Sequence, residues 1–127
     1  MKKHLLILTH GEFGKYLLQS AQMIIGETPH ATAVSLCHED SPEDFLKKVE
    51  SEVANISGDI ICLVDLFGGS PCNTALRLSK TRKLQIISGL NLPMLIELYN
   101  RLDAETDEVI ATAKESIFDV SKKFSAI

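Results

Sequence analysis

The sequence predicts an α/β fold: an open, mainly parallel sheet in the strand order 2-1-3-4, with helices on both faces. Three observations carry that expectation. Strand-length apolar runs alternate with helical patterns along the chain, the connections between them are short, and the first and third runs are almost continuously apolar. Alternation of this kind calls for right-handed crossovers that place helices on the sheet faces. Unbroken apolar strands are those of a parallel sheet covered on both sides.

The elements follow in order. His4 to Thr9 reads as the first strand, and a helix from about Gly14 to Ile25 turns Leu17, Leu18, Ala21, Ile24 and Ile25 to one face, with Gly26 as its stop. Thr32 to Cys37 is the second strand. Ser41-Pro42-Glu43-Asp44 then opens a helix with a cap, a first-turn proline and two acids, and Phe45, Val49 and Val53 form its buried stripe. Ile60 to Asp65 is the third strand, and Ser70-Pro71 repeats the cap and proline ahead of CNTALRLS. Leu84 to Ser88 is the fourth strand, and Pro93 starts a helix through MLIELYNRL. The C-terminal DEVIATAKESIFDVSKKF is periodic as a helix, yet SIFDV within it also reads as a strand.

At 127 residues the chain fits one domain, 1–127, large enough to bury a core. A composition 45% hydrophobic and 24% charged excludes disorder and collagen-like repeats. The net charge of -4, with no basic block, argues against nucleic acid as a partner. MKKHLLILTHGEF superficially resembles a signal peptide, but its apolar run stops at Leu8 without a small-residue cleavage site, so a strand is expected there. No apolar segment approaches the roughly 20 residues that span a bilayer, so a membrane role would come through a partner. Three cysteines, Cys37, Cys62 and Cys72, form no paired spacing, which points to a reducing, cytosolic compartment.

In open parallel sheets, ligands bind beyond the carboxyl ends of the strands, where strand order reverses. Three segments meet that description: THGEFG after the first strand, DLFGGSP after the third and SGLNLP after the fourth. With the first and third strands adjacent, His10 and Asp65 face each other across the switch point. A carboxylate accepting from one ring N–H fixes the tautomer and exposes the other nitrogen as a nucleophile. Phe67-Gly68-Gly69-Ser70-Pro71 combines two glycines with a helix start whose free N–H groups favour an anion. The Gly-Lys-Ser/Thr ending of a nucleotide-binding loop is missing, so no nucleoside triphosphate is implied. Gly89 to Pro93 would form the third wall of the crevice. Each of these features alone is more often structural than functional; their coincidence at one sheet edge is what singles them out.

Other polar residues read more plainly. His4 is a strand-start residue, His30 a loop residue and His38 a strand-end neighbour of Glu39 and Asp40. Residues 37–40, Cys-His-Glu-Asp, alternate faces and lack a second ligand cluster, so no metal is expected. Cys72, in a helix first turn where a thiolate would be stabilised, is read as a packing residue.

The stretches ILTHGEFGKYLLQSAQMIIGE, LVDLFGGSPCNTA and SGLNLPMLIE resemble, in order and spacing, the IIA domains of the mannose family of the bacterial sugar phosphotransferase system. The resemblance covers nearly the whole chain. It implies a cytoplasmic phosphocarrier, peripheral to the membrane at most through a transporter, that takes a phosphoryl group from HPr and passes it to a IIB domain, for a sugar entering through membrane IIC and IID subunits. The family's phosphorylated histidine falls on His10, its partner aspartate on Asp65 and its phosphate-side serine on Ser70. Thr9, Gly68 and Gly69 complete the expected phosphate-binding set, with no cofactor and no metal. The family also implies a homodimer in which a C-terminal strand, here SIFDV, crosses antiparallel to the partner's sheet. An aromatic is common in the family where Cys72 stands, and tryptophan where Phe67 stands.

Three rivals remain at this level. A regulatory module phosphorylated as a signal has the same residues. A phosphotransferase subunit serving dihydroxyacetone kinase shares the fold and an N-terminal histidine, but GGSPCN and GLNLP favour the sugar-transport branch. A hydrolase using His10 as general base lacks a Ser or Cys nucleophile beside it.

Overall fold

Four parallel strands run β1 (His4–His10), β2 (Ala31–Leu36), β3 (Ile60–Val64) and β4 (Leu84–Ser88), and they stand in the order β2-β1-β3-β4. Between and after them lie α1 (Phe13–Ile25), α2 (Pro42–Val53), α3 (Ser70–Leu78), α4 (Leu92–Asn100), α5 (Thr106–Glu115) and α6 (Val120–Lys123). This computed structural model describes residues 3–125; residues 1–2 and 126–127, the ends of the expected 1–127 domain, lie outside the described residues. No helix among the described residues is long and apolar enough to cross a membrane.

Side-chain alternation along the strands divides the core into two layers. Leu5, Ile7, Ile61, Leu63 and Ile87 face α1, α4 and α5, where Ala21, Met94, Leu95, Leu98 and Val109 are buried. Leu6, Leu8, Val34, Ile60, Cys62 and Val64 face α2 and α3, through Phe45, Val49, Val53, Cys72, Ala75 and Leu78. Every residue of β3 is buried, as its unbroken apolar run requires of a central strand. Cys72 is a packing residue in the second layer.

Local chemistry explains most boundaries. Ser41 and Asp44 form a capping box at the start of α2, with Pro42 in its first turn. Asn91 caps α4 by accepting from the Met94 N–H at 2.8 Å, one signal the pattern after Ser88 left unread. The far end of α2 is held by Arg82, whose guanidinium donates to the carbonyls of Val53, Ile56 and Gly58 at 3.2, 2.7 and 3.0 Å. Helix α1 presses so close to β1 that a Cβ on Gly14 would stand 2.7 Å from Ile7 Cγ2.

One expectation changes. Ser70 does not cap α3: Gly69 occupies the cap position and Ser70 is the first helical residue, because the extended backbone of Gly69, at φ -77° and ψ 170°, starts the helix one residue early. In the chain described here, Val120 of the segment read as a strand begins the short helix α6, whose cap is Asp119, accepting from the Lys122 N–H at 3.0 Å. Ile117 to Asp119 are neither helix nor strand.

Candidate functional site

Strand order reverses between β1 and β3, and there the two expected residues meet. His10 ends β1, two residues past Leu8, which pairs with Val64; Asp65 follows Val64 directly. The strand ladder ends at this point, and the Asp65 side chain takes it over. Its Oδ2 accepts the His10 backbone N–H at 2.9 Å and the His10 ring Nδ1–H at 2.9 Å. One oxygen thus sets both the end of the strand and the orientation of the ring. With Nδ1 donating, Nε2 carries the lone pair, a tautomer assigned from its partner. The imidazole is 48% exposed and the carboxylate 15%. Asp65 Oδ1 is buried and accepts no hydrogen bond from the described residues.

The chain can turn away sharply after His10 because Gly11 has φ +55°, and the Gly11 N–H donates to the Leu36 carbonyl at 2.8 Å. Thr9, expected in the phosphate-binding set, points its hydroxyl into the turn. It is 1% exposed, and its hydroxyl accepts from the Gly14 N–H at 2.9 Å and donates to the Gly11 carbonyl at 3.2 Å. This buried hydroxyl, bonded in both senses, shapes the turn between β1 and α1.

The loop after Asp65 brings the start of α3 to the ring. Gly68 has φ +83°, and its carbonyl accepts from the Asn73 side chain at 3.4 Å. Of the three N–H groups expected to face an anion, that of Gly69 is donated to the Leu66 carbonyl at 3.3 Å. Those of Gly68 and Ser70 have no protein acceptor among the described residues. Gly69 lies directly against the ring: a Cβ built on it would stand 2.7 Å from His10 Cε1 and 3.3 Å from Nε2. Nε2 therefore sits beside the N-terminus of a nine-residue helix, where partial positive charge favours an anion.

His10 and Ser70 line one cleft of about 510 Å³, together with Glu12 and Thr74. Its remaining wall is not the expected Gly89 to Pro93 but the loop between β2 and α2, including Cys37, His38, Glu39 and Asp40. Strand order supplies the reason: β2 is the neighbour of β1, whereas β4 lies beyond β3, so Gly89 and Asn91 line a separate cleft with Ile86 and Ile117. Sequence reasoning read Cys37 to Asp40 as a strand end and weighed them as metal ligands, and missed this placement, which the 2-1-3-4 order itself could have revealed. Lys48, also unnoticed, holds that wall. Its ammonium donates to Asp40 Oδ2, which also accepts the Cys37 N–H at 2.8 Å, and it reaches the Ser35 carbonyl at 3.4 Å. The Lys48 hydrogen bond, followed by that of the Cys37 backbone, holds the Asp40 carboxyl below its ordinary range.

Comparison with known proteins gives this arrangement a context. Residues 4–114 match the family described as "PTS system fructose IIA component", the mannose-type IIA group of the phosphotransferase system. The chain belongs to that family. It is 31% identical over 117 residues to the mannose-specific EIIAB component of Escherichia coli K12, across 88% of this chain but only 36% of that longer protein. It is 32% identical over 97 residues to the sorbose-specific EIIA component of Klebsiella pneumoniae, covering 75% and 71% of the two chains. Among solved structures, the IIA protein associated with the fucose utilization operon of Streptococcus pneumoniae superimposes with a TM-score of 0.86 at 29% identity, covering 97% of this chain and 96% of that one. A mannose/sorbose-specific IIA subunit of Enterococcus faecalis does so with 0.83 at 31% identity, covering 94% and 96%.

Proposed function

We propose that this IIA component is a cytoplasmic phosphocarrier, a single domain that accepts a phosphoryl group from phospho-HPr on His10 Nε2 and passes it to a IIB domain, serving sugar uptake through IIC and IID subunits. The observation that carries the reading is the 2.9 Å bond from His10 Nδ1–H to Asp65 Oδ2, which leaves a half-exposed Nε2 at the start of α3. In the transfer, the Nε2 lone pair attacks the phosphorus of the donor phosphohistidine. An N–P bond forms here as the donor's N–P bond breaks, and that electron pair returns to the donor ring. His10 now carries substituents on both nitrogens and a positive charge, which the Asp65 carboxylate stabilises. The N–H groups of Gly68 and Ser70 and the Ser70 hydroxyl receive phosphoryl oxygens. Alignment and charge compensation suffice for such a step. Transfer to IIB is the same reaction with His10 as donor.

Proteins as reactants suit an open site. Phe13, Leu66 and Phe67 are 47%, 60% and 79% exposed on segments that adjoin His10 and Asp65, an apolar rim of the kind that marks protein contact. The homodimer with an exchanged C-terminal strand belongs to the same proposal. It is supported by the outer edge of β4, which has no neighbouring strand among the described residues, and by Ile117, 77% exposed beside it.

The test is incubation with phosphoenolpyruvate, enzyme I and HPr, followed by intact mass. The wild type gains one acid-labile phosphoryl group and His10→Ala gains none. Equal labelling of the two proteins refutes the assignment.

A further inference from the structure

Two adjacent glycines sit between Asp65 and α3, and they are glycine for different reasons. Gly68 has φ +83°, a backbone that side-chain-bearing residues avoid, while a Cβ on it would meet nothing within 4 Å. Gly69 is the reverse case. Its φ of -77° and ψ of 170° suit any residue, yet a Cβ there would lie 2.7 Å from His10 Cε1 and 3.3 Å from Nε2, well inside van der Waals contact with the ring.

We infer that Gly69 is a positioning residue for the acceptor imidazole: its missing side chain is the space in which the His10 ring lies, between Asp65 and the first turn of α3. The inference rests on the reading of His10 as phosphoryl acceptor and adds what sets the position of its reacting atom. Relief of a clash would have to come from the loop or from the ring. The loop is held by the Gly69 N–H on the Leu66 carbonyl at 3.3 Å, by the Asn73 N–H on the Gly69 carbonyl at 2.9 Å, and by buried Pro71 and Cys72 just behind. The ring is held on its Nδ1 side by one hydrogen bond and is half exposed to solvent, which leaves it room to swing away from Gly69. The ring is therefore what moves. Swinging away breaks the Nδ1–H bond to Asp65, frees the tautomer, and carries Nε2 away from Ser70. A hydrogen at position 69 thus does three things for the site: it admits the ring, keeps its tautomer and aims its lone pair.

Two measurements test this. In the wild-type protein, NMR shows a strong NOE between the His10 Hε1 proton and the Gly69 Hα that points in the side-chain direction. In Gly69→Ala, the thermal midpoint stays near the wild-type value, the His10 ring nitrogen shifts move toward a mixture of tautomers, and kcat for phosphoryl transfer from phospho-HPr falls at least tenfold with KM little changed. Wild-type ring shifts together with wild-type kcat in the variant overturn the inference. So does absence of the NOE, which decides the matter even if Gly69→Ala fails to fold. The NOE and the ring shifts do not depend on phosphoryl transfer. If His10 is not the acceptor, they still appear while His10→Ala continues to be labelled, so the two readings fail separately.

Discussion

Replacing Asp65 by asparagine changes almost no atoms in size and removes one charge. In the parent, Oδ2 receives two N–H donors from the same residue, both at 2.9 Å. An amide oxygen in its place still accepts from the backbone, so the end of β1 keeps its register and the variant folds. What it lacks, on the proposed mechanism, is attraction for the imidazolium that forms when Nε2 is phosphorylated. Unit charges about 4 Å apart interact by about 4 kcal/mol at an effective dielectric of about 20. The ring is 48% exposed, and solvent screening brings this to about 1.5–2.5 kcal/mol. At about 1.4 kcal/mol per factor of ten, phosphoryl transfer slows by about 10- to 70-fold. A flipped amide pushes in the same direction. Its NH₂ would donate to Nδ1 and favour the tautomer protonated at Nε2, which has no lone pair to attack with. Rapid-quench measurement of transfer from phospho-HPr reads the rate, and circular dichroism checks the fold. A folded Asp65→Asn protein that transfers within twofold of the wild-type rate would remove the carboxylate from the mechanism.

Two further outcomes concern the scaffold. Arg82→Met strips the donors from three carbonyls at and beyond the end of α2, at a cost of about 1.5–3 kcal/mol for charge-assisted bonds in a half-buried place. For a chain of this length that lowers Tm by about 6–12 °C in calorimetry while leaving kcat unchanged; a shift under 2 °C would refute the clamp. Asp40, held by Lys48, titrates below ordinary aspartate when followed by carboxyl carbon NMR, and Lys48→Met returns it toward the ordinary value. Because its folded-state pKa is the lower one, the stabilisation is complete above the unfolded value and is lost as pH falls through the folded value. An unchanged Asp40 titration in Lys48→Met would contradict this.

The sheet was legible because burial on both faces leaves no freedom of composition: Leu5 to Leu8 and Ile60 to Val64 had to be apolar throughout. Asp65 stood out as the first polar residue after its strand, and His10 as the first ionisable one after its own apolar run. The backbone role of Thr9 was not legible, because a hydroxyl looks alike whether it serves a ligand or its own backbone. Its partner is the N–H of Gly14, five residues on. Arg82 and Lys48 were invisible as clamps. Each is one cation among many, and its partners lie 24 to 29 positions away for Arg82 and 8 to 13 for Lys48. The cap at Gly69 was misread by one residue because serine before proline is the commoner signal, and only a neighbouring ring explains the glycine.

The bond from the His10 main chain to Asp65 has a consequence for how inactive variants are to be understood. Half of what anchors that carboxylate is a backbone N–H, which no substitution at position 10 short of proline can delete. Exchange of the histidine removes the reagent and leaves its mould: the carboxylate, the turn at Gly68 and the first turn of α3 retain their other supports. Such a chain is a decoy rather than a ruin. On the proposed reading it offers a donor protein an intact docking face with nothing to receive the cargo, so its silence would report on chemistry, and in a mixture it would compete for the same partners as the active form.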